Sequence, residues 1–143
     1  MKLTKNFRLR EFTCSKTAKE HDVENRPNKP AIENIKLLCS KVLQPLRDYI
    51  NRAVNINSGY RCLKLNELVG GSATSKHVLG QAADFYIEGM SPFDIAKTVM
   101  ELNLDFDQMI LYPTFVHISY IDPEIRENRK QLLYNQAYKG AKI

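Results

Sequence analysis

The stretch Ser75–Asp84, which reads SKHVLGQAAD, constrains the fold more than any other part of the chain. It carries one imidazole, His77, and one carboxylate, Asp84, seven residues apart. A second imidazole, His117, lies further along, inside the alternating apolar run 115–120. Two histidines and one aspartate form a three-ligand set that leaves one position open on a metal, as a catalytic zinc requires. A fold that uses this set must bring the three side chains together.

The hydrophobic pattern around these residues predicts strands that can do so. The predicted strands are residues 54–58, 82–87, 107–112 and 115–120, of which the last two form a hairpin. If the strand that carries Asp84 neighbours the strand that carries His117, the two side chains converge. Gly80 allows the intervening loop to fold His77 back toward them.

Two helices are predicted with more definite boundaries than the rest. Apolar residues recur at three- and four-residue steps over residues 31–50, which predicts the main core helix. Pro45 lacks a backbone donor, so a kink or break is expected near it. The run Ser91-Pro92-Phe93-Asp94 predicts a helix start, with the helix reaching about Leu102. Residues 14–30 are polar, contain two prolines and are predicted as a loop.

Length and composition predict a single domain over residues 1–143. The 43% of hydrophobic residues can supply a core, and the 26% of charged residues is ordinary. No apolar run approaches the roughly 18 residues of a membrane span. We see no internal repeat, and in the basic tail residues 129–134 fit a strand or a helix equally.

The net charge of +5 indicates a mild preference for anionic partners, such as nucleic acid, anionic lipid or an anionic cell wall. The lysines and arginines are dispersed, which favours a solvated surface over a nucleic-acid interface. We therefore predict no nucleic-acid partner and a monomeric protein. Three cysteines without a CxxC pair make a disulfide framework unexpected.

Further residues near the metal set fit the chemistry of amide hydrolysis. Zinc in this set would lower the pKa of a bound water to about 7, and the developing oxyanion would need stabilisation. Arg61, which follows a strand and a glycine turn, is the candidate, and its guanidinium could also pair with a substrate carboxylate. Ser75 is a candidate hydrogen-bond donor to substrate. Each residue taken alone also fits a structural role, because short patterns recur by chance.

Three segments together resemble the zinc D-alanyl-D-alanine peptidase family. They are Ser58-Gly59-Tyr60-Arg61, the SxHxxGxAxD pattern of Ser75–Asp84, and Val116-His117-Ile118-Ser119. The family includes bacterial carboxypeptidases, vancomycin-resistance dipeptidases and phage endolysins. Its small single-domain branch, often encoded by phages, also shows the features Asn6-Phe7, Glu11-Phe12, Gly70-Gly71-Ser72 and Phe106-Asp107-Gln108. The resemblance covers residues 4 to about 120.

The resemblance implies that His77, Asp84 and His117 are zinc ligands. It implies that Arg61 binds substrate or stabilises the transition state, with Ser75 nearby on the substrate. The implied fold is α+β, of the hedgehog and DD-peptidase type: a small antiparallel sheet, the long helix packed on it, and a zinc cleft on the sheet.

Tyr60, beside Arg61 in the same segment, is a further candidate for substrate binding. One position departs from the family pattern, in which a Glu or Asp a few residues before the last histidine acts as general base. Residues 111–116 hold no carboxylate, and Tyr112 stands roughly in that place. A phenol, with an ordinary pKa near 10, is a poor base at pH 7. Asp107 and Glu88 are the candidate substitutes.

The leading hypothesis is therefore a zinc metallopeptidase, of carboxypeptidase or endolysin type, that hydrolyses D-Ala-containing bonds in the peptidoglycan stem peptide. The alternative is a zinc-containing module that binds cell-wall peptide with weak or no catalysis. Residues 1–8 start with positive charge but lead into no apolar core, so no signal peptide is visible. We expect cytoplasmic synthesis with phage-like release to the wall, or a periplasmic or extracellular location if a signal was removed.

Overall fold

A computed structural model describes all 143 residues of the chain. The helices are α1 (Leu9–Thr13), α2 (Lys16–Glu20), α3 (Lys29–Leu38), α4 (Gln44–Ile50), α5 (Leu63–Leu68) and α6 (Pro92–Glu101). The strands are β1 (Asn55–Ser58), β2 (Ala82–Tyr86), β3 (Gln108–Leu111), β4 (Val116–Ser119) and β5 (Gln131–Tyr134). A π-helical segment, Cys39–Leu43, joins α3 to α4, and a 3₁₀ turn, Lys76–Leu79, precedes β2. No helix combines the length and the apolar character that crossing a membrane requires.

The five strands form one sheet in the order β1-β2-β4-β3-β5. The first four are antiparallel to their neighbours, and the predicted β3–β4 hairpin is confirmed. β5 instead pairs with β3 in parallel, because residues 120–130 carry the chain back to the level where β3 begins. There the backbone N–H of Gln131 donates to the carbonyl of Asp107 at 3.0 Å. The predicted α+β fold is confirmed, with a mixed sheet in place of a wholly antiparallel one.

One face of the sheet packs against the helices and builds the core. The alternating side chains of the three central strands are buried there: Ala83, Phe85, Met109, Leu111, Val116 and Ile118. Each large apolar side chain contributes about 1.5–3 kcal/mol on full burial. α6 packs on β3 and β4, and apolar residues of α3, the π-helical segment and α4 join the same core. The opposite face is left for polar side chains.

The predicted long helix over 31–50 is present as α3, the π-helical segment and α4. The Asn28 side chain caps α3 by accepting the N–H of Ala31 at 2.9 Å. In the wider turn that follows, the N–H of Gln44 donates to the carbonyl of Cys39, five residues earlier. Pro45 comes directly after this turn and has no N–H to give. The helix therefore accommodates the proline by widening one turn rather than by breaking.

The predicted loop over residues 14–30 is partly wrong. It contains α2, whose first turn is capped by the Ser15 hydroxyl accepting the N–H of Ala18 at 3.1 Å, and α3 begins at Lys29. Ala18 is the only buried side chain of α2, so no apolar stripe indicated this helix. In the tail, the open choice at residues 129–134 is settled as the strand β5.

Candidate active site

The sheet register places Asp84 of β2 directly opposite His117 of β4. The Nδ1 atom of His117 lies 2.8 Å from Oδ1 of Asp84. This register is fixed because Ala83 and Phe85 must face the core, and a slip of one residue would turn Asp84 into it. The two strands are neighbours, which was the condition for the expected convergence of these side chains.

His77 reaches the same point from the 3₁₀ turn before β2. The Ser75 hydroxyl accepts the backbone N–H of His77 at 3.2 Å, which starts that turn. Gly80 ends it with φ +74°, and a Cβ there would lie 2.5 Å from the carbonyl oxygen of Ala31. Glycine therefore fits this position for both its backbone angle and its size. The returning chain leaves Nε2 of His77 3.3 Å from Oδ1 of Asp84.

The second nitrogen of the His77 ring fixes which atom is free to bind a metal. Nδ1 of His77 lies 2.6 Å from the carbonyl oxygen of Gly59. A carbonyl only accepts, so Nδ1 carries the proton and Nε2 presents its lone pair toward Asp84. Ligating histidines in metal sites are oriented by the same kind of hydrogen bond. One donor atom from each of His77, Asp84 and His117 lies within 4.8 Å of the other two.

The charge state of Asp84 suits a ligand. Burial by itself would raise the pKa of this carboxyl, but the hydrogen bond from Nδ1 of His117 and the close approach of the His77 imidazole outweigh it and hold the pKa well below its usual range. The group is therefore ionised at neutral pH, as a metal-binding carboxylate must be. Two imidazole nitrogens and one carboxylate oxygen fit zinc and leave a fourth position for water or substrate. The ligand roles of the three residues stay predictions, which this geometry fits.

Arg61 stands beside the ligand set in a fixed orientation. Its Nε donates to the Ser58 hydroxyl at 3.2 Å, and its Nη1 donates to Oδ1 of Asn66 at 3.2 Å. Its Nη2 lies 3.7 Å from Oδ2 of Asp84, and its backbone N–H donates to the carbonyl of His77 at 3.1 Å. The side chain is 16% exposed, so the guanidinium is held by the protein rather than by water.

Asn66 is a site residue that the sequence did not reveal. It lies in α5 and is buried, with Nδ2 donating to the carbonyl of Ser72 at 2.9 Å while Oδ1 accepts from Arg61. A Cβ on Gly71 would lie 2.1 Å from that Oδ1, so the glycine lets the following loop close over the amide. In the sequence, only the Gly70-Gly71-Ser72 run after α5 indicated a loop that could close over Asn66.

His77, Asp84, His117 and Arg61 line one cleft of about 650 Å³ on the polar face of the sheet. A cleft of this volume is in the range that accommodates small ligands. Its other lining residues are Val69, Gly70, Gly71, Ser72, Thr74, Ser75, Lys76, Gln108, Ile110, Tyr112 and Arg129. Asp84 is the only carboxylate that lines the cleft.

The family model described as Peptidase M15 matches residues 5–119 of the chain. The match covers most of the sequence and includes all three metal-set residues and Arg61. The chain belongs to the Peptidase M15 family. This family consists of zinc-dependent peptidases, so the resemblance inferred from the motifs is confirmed. No curated protein matches the chain.

In this M15 family member, two further predicted residues lie in the cleft. Ser75 lines it next to His77, and Tyr112 lines it at the end of β3. The Tyr112 ring stacks on Phe115 across the hairpin turn, with ring centroids 4.4 Å apart and planes 9° apart. The phenol is therefore held at the cleft, in the region where the family pattern places its acid.

The other candidates lie outside the cleft. The ring of Tyr60 packs against the core and does not line the cleft, although the residue adjoins Arg61. Glu88 is exposed in the turn after β2, away from the lining residues. Asp107 is fully buried, and all its side-chain hydrogen bonds come from Arg126 and Arg129. Neither carboxylate is placed to take a proton from water in the cleft, and the Tyr60 ring is not placed to contact a substrate there.

Several lining residues were not predicted as site residues from the sequence, and two of them are polar residues at the β3–β5 edge. Gln108 and Arg129 come from the start of β3 and the approach to β5, where their side chains reach the cleft. No motif or spacing in the sequence separates Arg129 from the other basic residues of the tail. Gln108 lies two residues before Ile110, which pairs with His117, so the alternation of β3 could have placed it on the cleft face.

Proposed function

We propose that the protein is a zinc-dependent peptidase that hydrolyses D-alanine-containing peptide bonds of the bacterial peptidoglycan stem peptide. The observation that carries this proposal is the convergence of His77, Asp84 and His117 in a cleft beside a fixed guanidinium. Membership of the M15 family supports peptidase chemistry, and the resemblance of the motifs supports the substrate. Action at the cell wall, as a monomer released from the cytoplasm, stays a prediction.

The ligand set is prepared by the chain itself. Zinc, when bound, would polarise the substrate carbonyl and lower the pKa of a bound water to about 7. The Gly59 carbonyl holds the His77 ring in the tautomer that exposes Nε2. The cross-strand pairing of β2 and β4 holds Asp84 and His117 on the same face. Donors fixed in this way need little reorganisation when the metal binds.

Arg61 is the residue that meets negative charge as it develops on the scissile carbonyl oxygen. Its guanidinium is oriented by Ser58 and Asn66 before substrate arrives. Donors that are preorganised in this way stabilise the transition state without rearranging, and removing one typically costs about 100- to 1,000-fold in rate. Because the side chain is mostly buried, water competes little for its hydrogen bonds.

Ser75 and Tyr112 position the substrate on either side of the ligand set. The Ser75 oxygen accepts the N–H of His77, which leaves its own proton free to donate to a peptide carbonyl. The Tyr112 hydroxyl can likewise donate a hydrogen bond from the hairpin. Neither group is a strong base at neutral pH, so their role is to bind and orient.

The second candidate function is a zinc-containing module that binds the same peptide and turns it over slowly or not at all. It is favoured by one observation, that Asp84 is the only carboxylate lining the cleft. General acid–base groups contribute about 100- to 10,000-fold to rate, so a site without one can retain binding and lose most catalysis.

A turnover assay separates the two candidates. The zinc-loaded protein is incubated with purified peptidoglycan and with diacetyl-L-Lys-D-Ala-D-Ala, and released amine and D-alanine are measured. The control is His77→Ala, with its folding checked by circular dichroism and its zinc content by mass spectrometry. We expect release above this control. Peptide binding without any release above the control would contradict the peptidase and establish the binding module.

A further inference from the structure

Asp107 is a buried carboxylate at the centre of a charge cluster that adjoins the cleft. Its carboxylate is 0% exposed and accepts five hydrogen bonds. Arg126 donates through Nη1 at 2.7 Å and Nη2 at 3.0 Å. Arg129 donates through Nε at 3.0 Å, Nη2 at 2.8 Å and its backbone N–H at 3.2 Å. One carboxylate thus holds two guanidinium groups, so the cluster keeps an excess positive charge.

The two arginines differ in where that charge is presented. Arg129 lines the cleft together with the metal-set residues, whereas Arg126 does not. The Arg129 side chain is 45% exposed, and its Nη1 makes no hydrogen bond within the protein. A guanidinium that is held on one edge by a buried carboxylate has a fixed orientation, and its free N–H groups can bind a second anion.

Arg61, the other arginine of the cleft, keeps only Nη2 without a hydrogen bond, and that group is the one left for the scissile carbonyl oxygen. Its Nε and Nη1 donate to Ser58 and Asn66, and its Nη2 faces Asp84 at 3.7 Å. It is 16% exposed, against 45% for Arg129. Lys76 also lines the cleft, but no hydrogen bond fixes its ammonium group, so the free donor with a fixed orientation is the Arg129 guanidinium.

We propose that Arg129 forms a carboxylate-binding subsite of the cleft, in which Asp107 is the positioning residue for the guanidinium. The subsite takes a carboxylate of the bound peptide and so contributes to substrate specificity. This inference rests on the proposed function only in that the cleft binds a peptide; it does not require that the peptide is cleaved.

Two sources can supply the carboxylate: the free C-terminus of the peptide or an acidic side chain within it. A subsite for the C-terminus would make the protein act on chain ends, and a subsite for a side chain would permit action within a chain. Three probes distinguish the sources. They are diacetyl-L-Lys-D-Ala-D-Ala, its C-terminal amide, and the amide of the same length with D-glutamate in place of lysine.

The test compares Arg129→Gln with Arg126→Gln in the zinc-loaded protein. Both variants remove one of the two arginines on Asp107, so thermal denaturation should show similar losses of stability. Dissociation constants are measured by calorimetry for each probe, and release of D-alanine or its amide is followed in the same samples. Turnover and binding are thus read separately, so failure of the proposed hydrolysis leaves the subsite open to test.

We expect wild-type protein to prefer one carboxylate-bearing probe over the plain amide. Arg129→Gln should raise the dissociation constant of that probe by about 10- to 100-fold, the range for a charge-assisted hydrogen bond. The dissociation constant of the plain amide should change by no more than about threefold. Arg126→Gln should keep the preference. Equal losses in the two variants, or equal binding of all three probes by wild-type protein, would overturn the subsite.

Discussion

Asp84 in β2 and Asp107 just before β3 are both shielded carboxylates, yet their neighbours differ in what they can share. In each case burial would raise the pKa, and hydrogen bonds from neighbours outweigh it and hold the pKa well below its usual range. Asp84 contacts two imidazoles, which have lone pairs to share with a metal, and the Arg61 guanidinium stands further off at 3.7 Å. The neighbours of Asp107 are two guanidinium groups, which only donate.

The difference shows that burial and ionisation alone do not mark a functional carboxylate. Asp84 keeps lone pairs that point into a cleft with other lone-pair donors, so a cation can complete the group. The oxygens of Asp107 are saturated by hydrogen bonds, so the residue can only anchor. Candidate sites are therefore better recognised by the donor or acceptor character of the partners than by a perturbed pKa.

The largest expected effect comes from removing each carboxylate in turn. Asp84→Ala should lose most of the zinc, which we expect at about one ion per chain, and with it at least about 1,000-fold in peptidase rate, because metal catalysis supplies several kcal/mol. Asp107→Asn should keep the zinc. Metal content by mass spectrometry and rate on the D-Ala-D-Ala peptide check both statements. Full zinc in Asp84→Ala would remove that residue from the ligand set.

The strands β2 and β4 and the faces of their side chains could be predicted because they depend on a local pattern, whereas their pairing was only a condition of the prediction. Alternation sets which side chains face the core, and it placed Asp84 and His117 on the other face without knowledge of the rest of the fold. The long helix was predicted for the same reason, from a repeating apolar stripe. Where the hydrophobic residues repeat at short range, the repeat predicts both the secondary-structure element and the face that is left for function.

The region around Asp107 could not be predicted in this way. The parallel pairing of β5 with β3 is accompanied by contacts from Asp107 to residues 19 and 22 positions later, and such contacts leave no periodic trace. Asn66 was missed for a related reason, since one buried amide in a short helix has no pattern of its own. The prediction of Asp107 as a base used proximity in sequence, and its arginine partners became visible only in three dimensions.

Introducing a second carboxylate into the cleft tests whether the protein lacks only a general base. If the protein lacks only a general base, Tyr112→Glu should raise the rate by about 100-fold, the lower end of what such a group contributes. The matched control is Tyr112→Gln, which has the same length without the charge and should show no gain. Rates of D-alanine release at saturating peptide decide the matter. Equal rates for the two variants would mean that the absence of a carboxylate is not what limits turnover.

A smaller effect is expected from the residue that orients Arg61. Asn66→Ala removes the acceptor of the Arg61 Nη1 bond and should lower kcat by about 10-fold while zinc content stays unchanged. Asn66→Asp keeps an acceptor oxygen at that position and should retain more of kcat than the alanine variant does. If both variants lose activity equally at equal thermal stability, Asn66 acts through packing and not through Arg61.

The smallest effect concerns stability in acid. The pKa of Asp107 is lower in the folded protein than in the unfolded chain, so its contribution is complete above the ordinary aspartate pKa of about 4 and is lost as pH falls toward the folded value. The charged groups that face it are Arg126 and Arg129. Asp107→Asn should therefore lower the free energy of unfolding by about 1–3 kcal/mol at pH 7, and by progressively less below about pH 4.

Urea unfolding of wild-type and variant protein between pH 7 and pH 2.5 measures this difference directly. Protonation of the predicted metal-binding residues occurs in both proteins, so it cancels when the two are subtracted. Asp105→Asn is the matched control, because Asp105 is 69% exposed and pairs with Lys130 at 3.4 Å. An exposed pair of this kind is worth about 0–1 kcal/mol, so its removal should have little effect at any pH. A difference for Asp107→Asn that stayed constant down to pH 2.5 would show that its ionisation does not hold the arginine cluster, and the contrast with Asp84 would then rest on geometry alone.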